Sequence, residues 1–425
     1  MKRTVCIVSS GNLASNPRLV KEAAALQEAG YAVTTISCDY TEALRPFDDE
    51  IAAEASWTVR RVPRLRSERY FTTAARRAAR ALSGAGLPIP LAVAVHAYGG
   101  PGGALRGVTR TMSADLYIAH YVPALPAAAE AARRRGALLG FDAEDFHSGE
   151  EPDDQADHFQ SRLVEQIEAA CLPRCAHMTA ASPLIGQAYA ARYGVKPTTV
   201  LNLFPLSMAP SLQDHAAHRH EAGTLKAYWF SQTIGLDRGL QGFVQAMARA
   251  RTRVTLDIRG SNRWGYGDRL LEMARDLGIG DRVRLLPMAP PEEMVRLAAH
   301  YDLGLSLEMP ITENRRICLT NKIFTYLLAG TPVMMSDTPA QKALAPELGP
   351  AAAVVSVTDV EGMAKVLDGL AATPGALAEA KTAAADLGRR RYNWDVEKKV
   401  LVEAVASAFS GAKPLSASSD TRTAG

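Results

Sequence analysis

The sequence is poor in several features that would narrow its class. Only five cysteines occur in 425 residues, at positions 6, 38, 171, 175 and 318. Their number is odd, and Cys171 and Cys175 are separated by three residues rather than the two of a zinc knuckle or redox pair. A disulfide-stapled scaffold is thereby excluded, and buried, reduced thiols in a reducing cytosol are expected. No apolar run reaches the roughly 18 residues of a membrane-spanning helix. The start, "MKRTVCIVSSGN", places two cations before an apolar run of only four residues, too short for a secretory leader. No strand is followed by G-x-G-x-x-G, which counts against a dinucleotide-dependent dehydrogenase; "GGPGGALRG" at 99–107 reads as a loop. No internal repeat recurs, so a solenoid is excluded. A net charge of +3 is too small for wholesale nucleic-acid binding but leaves room for a local basic face.

What is present is an ordinary globular composition, 47% hydrophobic and 22% charged, in a chain long enough for two cores. Short apolar, β-branched runs alternate with helical patterns. In the first half, strands are predicted at 5–10, 32–38, 115–120, 138–143, 177–182 and 198–204. In the second they are predicted at 227–232, 254–260, 283–288, 303–308, 332–337 and 352–357. Nearly continuous apolar strands belong to sheets covered on both faces, and alternation with helices makes them parallel and doubly wound. The expected fold class is therefore α/β, with two Rossmann-like domains. The predicted boundaries are 1–210 for the first domain, 211–225 for a polar linker and 226–390 for the second domain. A helix follows over 391–410, then a disordered tail over 411–425, small and polar in composition.

In open α/β sheets, ligands lie outside the carboxyl ends of the strands, which shortens the search for a site. After the first strand comes "SSGNLASNPR", whose Gly11 lets the backbone approach a ligand closely, followed by Asn12, Asn16 and Arg18. Later strands of this half end at His120 and at "DAEDFHSGE", which gathers Asp142, Glu144, Asp145 and His147. One of that cluster is expected to orient a sugar or serve as general base; a merely solvated acidic loop is the competing reading, since "EEPDD" continues the charge. In the second half the ends hold Gln232, Arg238, Arg259, Met288 and Glu308. Arg238 precedes a glycine and an amphipathic helix, and Thr320 or Asn321 can cap the helix that carries Lys322. Two helix N-termini with added cations would suit a doubly charged group such as a diphosphate. Lys322 has no carboxylate one turn away, so an anion outside the protein is its expected partner. Pairing with Glu308, Glu313 or Asp237 is the competing reading.

At these residues the chain resembles the GT-B glycosyltransferases, particularly the retaining group called family 4. "SNPRLVKEAAALQEAGYAVTTIS" resembles that group's first strand-loop-helix and second strand, and "SQTIGLDRGLQGF" the segment whose cation holds the donor phosphates. "LTNKIFTYLLAGTPVMMSD" resembles its donor-site helix, and "SPLIGQAYAARYGVKPTTVLNLFP" the end of its N-terminal domain. The resemblance implies a GT-B fold with a central cleft and a last helix crossing back to the N-terminal domain. It further implies an EC 2.4-type sugar transfer from a nucleotide-diphosphate sugar, with retention, no cofactor and no metal. The implied donor side comprises Gly11, Gln232, Arg238, Arg259, Met288, Glu308, Thr320, Asn321, Lys322 and Thr325. The implied acceptor side comprises Asn12, Asn16, Arg18, His120, Asp142 and Glu144, and the catalytic set is Glu144, His147, Arg238 and Lys322. Two glutamates common in the group, eight residues apart, are here Ile317 and Thr325, and an arginine that often accompanies the phosphate-binding cation corresponds to Gln232. A sugar-nucleotide epimerase and a catalytically degenerate nucleotide-sugar binder are the alternatives. Finally, "RRVPRLRSERYFTTAARRAAR" (60–80) holds eight arginines against Glu68 alone, so an anionic membrane surface is an expected partner beside the donor and a glycan, lipid-linked or small-molecule acceptor. The expected location is the cytosol, including its membrane face.

Overall fold

The computed structural model describes residues 2–63, 68–155, 157–211, 223–373 and 375–411. The chain divides into two compact units, one of residues 1–200 with those from 398 onward, the other of residues 201–397. The strands of the first are β1 (Thr4–Ser9), β2 (Ala32–Asp39), β3 (Thr58–Pro63), β4 (Leu116–His120), β5 (Leu138–Ala143), β6 (His177–Ala180) and β7 (Thr198–Thr199). Those of the second are β8 (Thr224–Thr233), β9 (Arg253–Ser261), β10 (Val283–Leu286), β11 (Leu303–Ser306), β12 (Val333–Ser336) and β13 (Ala352–Val355). Every pairing is parallel, in the orders β3-β2-β1-β4-β5-β6-β7 and β10-β9-β8-β11-β12-β13. Both sheets therefore start at a central strand, step outward, and cross over to wind the other way, the topology of a doubly wound Rossmann-like domain.

Burial explains which strands the sequence reveals. Every residue of β4, β5 and β12 is buried, as the uninterrupted apolar runs require. The expected strands omit β3, "TVRRVP", because it is an edge strand with exposed Thr58, Arg60 and Pro63 and half-buried Arg61. The basic segment 60–80 is thus two elements, this strand and a helix at Glu68–Gly84, with residues 64–67 outside the described part. The linker expected over 211–225 lies outside the described residues from 212 to 222, and Thr224 already belongs to β8. The expected tail lies outside them from 412 onward.

One core gathers Val5, Ile7, Leu19, Leu26, Leu116 and Ile118 around β1 and β4. The last helix, Trp394–Gly411, adds Val405 to that core and stacks Phe409 on Tyr31 at 5.8 Å. The second core packs Trp229, Leu240, Phe243, Ile258, Leu305 and Met334. Close packing there depends on Gly304: a Cβ on this residue would meet the Tyr326 ring at 2.3 Å. The five cysteines are free thiols, four buried and Cys175 half-buried.

Candidate functional site

In the first unit, strand register builds the polar cluster. Parallel pairing sets Ser9 beside His120, His120 beside Asp142, and Asp142 beside Thr179, a row across the carboxyl ends of β1, β4, β5 and β6. The helix Pro17–Glu28 then delivers Arg18, whose Nε and Nη2 donate to both oxygens of Asp142 at 2.7 and 2.8 Å while Nη1 donates to the Val200 carbonyl. His120 meets Glu22 through Nε2 at 2.5 Å and Asp142 through Nδ1 at 3.5 Å. Asn16 caps the helix by accepting from the Leu19 N–H, and its amide nitrogen lies 3.3 Å from His120 Nδ1. Asn12 is tied to Asp48 and to the backbone of Thr41.

Of the expected acceptor set, Asn12, Asn16, Arg18, His120 and Asp142 are all at most 4% exposed and bond to other protein groups, which ties the strand ends together. Their charges are mutually compensated. Burial pushes the Asp142 carboxyl up, but Arg18 and His120 outweigh it and hold it well below its usual range. Burial likewise disfavours charged His120, yet Asp142 and Glu22 raise its pKa. Gly11 sits on the rim of this floor, its carbonyl accepting from the Cys38 N–H.

Glu144 and His147 lie beyond the row. Glu144 is half-buried, and burial together with Asp145 and Asp142 raises its pKa against the pull of Arg18. His147 is buried, its Nδ1 2.8 Å from Glu150 and its backbone N–H donating to the Tyr189 hydroxyl. Its Nε2 is buried without a hydrogen-bond partner. Burial alone would lower its pKa, but Glu150, Asp145 and Glu168 lift it to about 9. A histidine already protonated at neutral pH is a poor general base, so Glu144 is the better placed of the two for that role. A side-chain NMR titration should give His147 a midpoint near 9, moving toward the ordinary 6.5 in Glu150→Gln. The stability this cation contributes is complete below the ordinary value and is lost as pH rises through about 9. A midpoint below neutrality would refute the assignment.

The second unit concentrates cations. β8 runs into a short turn, Leu236–Arg238, and Gly239 in the left-handed region (φ 64°) opens the helix Leu240–Arg249. A side chain at 239 would be strained and would meet Leu307 Cβ at 2.9 Å, so glycine is what lets Arg238 stand at this helix mouth. Two residues past β11, Glu308 is fully buried. Its Oε1 accepts from Lys322 Nζ at 2.8 Å, and its Oε2 from Arg238 Nη1 at 2.8 Å and Arg315 Nη1 at 3.1 Å. Asp237 lies at the edge, 3.6 Å from Arg238 and 3.9 Å from Arg315. Three cations thus face two carboxylates. Burial raises the Glu308 pKa, but Lys322, Arg238 and Arg315 overcome it and hold the group at about 2. Lys322 is pushed below its ordinary value by burial and by the two arginines, because one carboxylate is shared three ways. The Nε of Arg238 is buried and donates no hydrogen bond.

Lys322 therefore has an internal partner, fourteen residues away in sequence, contrary to the expectation of an external one. Glu308 accepts three hydrogen bonds, one on Oε1 and two on Oε2, all from these cations. Arg315, on the short helix Glu313–Ile317, joins the cluster without having been expected there; its only sequence signal is the "ENRRI" approach to Lys322. Thr325 is fully buried and donates its hydroxyl to the Asn321 carbonyl of its own helix. Thr320 precedes the helix Asn321–Ala329 without capping it, its hydroxyl 3.0 Å from that of Ser306, and Asn321 is exposed beside it. Arg259 donates to the Tyr228 hydroxyl and, at 2.5 Å, to the Pro287 carbonyl, bracing the loop that displays Met288. Gln232 is exposed on β8. Among the described residues, no group of three or more His, Cys, Asp or Glu side chains could hold a metal ion.

Residues 238–398, beginning at Arg238 and including Glu308, Arg315 and Lys322, match the family model described as glycosyl transferase-like. Among solved structures, Anabaena Alr3699/HepE in complex with UDP-glucose superposes with a TM-score of 0.70 at 14% identity, covering 95% of this chain and 99% of that one. The fold is GT-B. Sucrose-phosphate synthase from Thermosynechococcus elongatus gives 0.68 at 13% identity, over 96% and 100% of the two chains. A putative UDP-N-acetylglucosamine 2-epimerase from Listeria monocytogenes gives 0.55 at 11%, over 98% and 99%. No curated protein sequence matches the chain.

Proposed function

We propose that the chain transfers a sugar from a nucleotide-diphosphate donor to an acceptor. The observation that carries this reading is the cluster of Arg238, Arg315 and Lys322 around one buried carboxylate, at the strand ends of a stretch matching a glycosyl transferase-like family. The GT-B fold shared with a UDP-glucose complex supports it. In the reaction, the bond from the anomeric carbon to the diphosphate oxygen breaks and an acceptor oxygen bonds to that carbon. The acceptor proton passes to a base, and negative charge grows on the leaving diphosphate. Fixed cations and a helix N-terminus aimed at that charge stabilise the transition state more than the ground state. Arg238 and Lys322 take that role, Arg315 supports them, and Glu308 holds all three in place. Glu144 is the proposed base. Retention of configuration and independence of metal rest on the resemblance to family 4.

Two observations keep other readings in the test. An epimerase shares the fold, and Ile317 and Thr325 stand where many family 4 members carry glutamates. A thermal-shift screen without metal, against UDP, GDP, dTDP, ADP and CMP with their sugar conjugates, separates them. Stabilisation by one nucleoside diphosphate, lost in Arg238→Ala and Lys322→Ala, is the expected result. Product analysis then distinguishes transfer from epimerisation, which consumes a nucleotide sugar without acceptor. No stabilisation of the folded protein by any of these compounds would overturn the proposal.

A further inference from the structure

We propose that the helix Glu68–Gly84 docks the chain on an anionic lipid surface. The helix turns an apolar stripe toward solvent. Tyr70, Ala74 and Ala81 recur at helical spacing on one side, with Phe71 and Ala78 beside them, and all five are exposed. Tyr70 is 80% and Phe71 64% exposed, values seldom left to aromatic side chains without a partner. The opposite side holds buried Ala79 with half-buried Thr72, Ala75 and Leu82, so the outward aromatics are not the buried face of the helix. Farther along the chain, Leu87 and Leu91 are exposed as well, at 55% and 41%.

The charge that the helix itself puts on this face is positive, with Asp157 of a later segment pairing Arg80 there. Arg77 and Arg80 border the stripe along one edge and are exposed; Glu68 is the only acid in the helix. Arg80 pairs with Asp157 and lies over the Phe159 ring at 4.2 Å, and Arg76 donates to Gln160; among the described residues, Arg77 is the border cation with no such tie. A helix with aromatics on one side and arginines along its border has the pattern of one lying in the headgroup plane of a bilayer, rings toward the acyl boundary and cations on the phosphates. A second copy of the chain is the poorer occupant, because it would bring like charges together. The helix is distinct from both strand-end clusters, so the inference stands independently of the proposed reaction.

Co-sedimentation of the full chain with phosphatidylcholine vesicles, with and without phosphatidylglycerol, tests it. The expected result is binding to the anionic vesicles alone, weakened by salt. In Tyr70→Ser/Phe71→Ser, and separately in Arg77→Glu, binding should weaken about ten-fold or more. All three positions are exposed, so unchanged thermal midpoints will show that the variants fold. No binding by the parent protein at low salt would overturn the proposal, as would equal binding by the variants. A double variant that changes oligomeric state while vesicle binding is absent would assign the face to a second copy instead and likewise overturn it.

Discussion

Replacing Glu308 by glutamine is expected to lower the melting midpoint of the second unit by on the order of 10 °C. The amide is nearly isosteric, so packing is kept while the charge that Lys322, Arg238 and Arg315 share is removed. Removing one partner of a buried ion pair costs about 3–5 kcal/mol, because the remaining charge stays desolvated and uncompensated. The Glu308 pKa points the same way. A carboxyl held at about 2 against an ordinary 4.5 corresponds to roughly 3 kcal/mol in favour of the ionised folded form. That contribution is complete above the ordinary value and is lost as pH falls from there toward about 2. Acid unfolding of the parent should therefore steepen below about pH 4.5, and the glutamine variant should lack that component. Added pyrophosphate should stabilise the variant more than the parent, since it brings back negative charge where three cations have lost Glu308 and are left with Asp237 at the edge. A midpoint within about 2 °C of the parent would mean that the cluster is held by something other than Glu308.

That cluster also shows where sequence reasoning stops. The inner strands are legible because burial on both faces demands unbroken apolar runs, and their alternation with helices is enough to imply parallel, doubly wound sheets. Edge strand β3 is not, since exposed Arg60 and half-buried Arg61 break the run. The carboxyl-end rule leads to the ends where the polar clusters of both sheets gather, but it cannot say whether a polar side chain there faces a ligand or another side chain. His120 and Asp142 lie on adjacent strands, and Arg18 reaches Asp142 from 124 residues away; only the register of four strands reveals that these groups satisfy one another. The isolation of Lys322 is likewise an artefact of looking one helical turn away. Its carboxylate comes from the end of a neighbouring strand, as does the anchor for Arg315.

An internal partner for Lys322 does not remove it from the reaction; it changes what its loss should do. Burial first, and the two arginines after it, depress the Lys322 pKa, and with Glu308 and Asp237 facing three cations the group keeps an excess of positive charge. A diphosphate arriving beside Arg238 would relieve it. In the ground state, where the diphosphate already carries its two charges, the benefit is partial, and it grows as the leaving oxygen gains further charge. Arg238→Ala should therefore lower kcat/KM by about ten-fold or more, the loss expected for a charge-assisted contact of roughly 1.5–3 kcal/mol. More of that loss should fall on kcat than on KM if the contact strengthens in the transition state. Arg238→Lys should recover part of it, because a point charge remains while the second nitrogen of the fork is lost. In Lys322→Ala, Glu308 keeps two arginines, so the fold should survive while kcat falls in the same direction. Unchanged kinetics in Arg238→Ala would take this residue out of the site. A loss confined to KM would instead make the cluster a binding device that holds donor and transition state equally, and the stabilisation of the leaving group would have to come from the helix N-terminus at Asn321 alone.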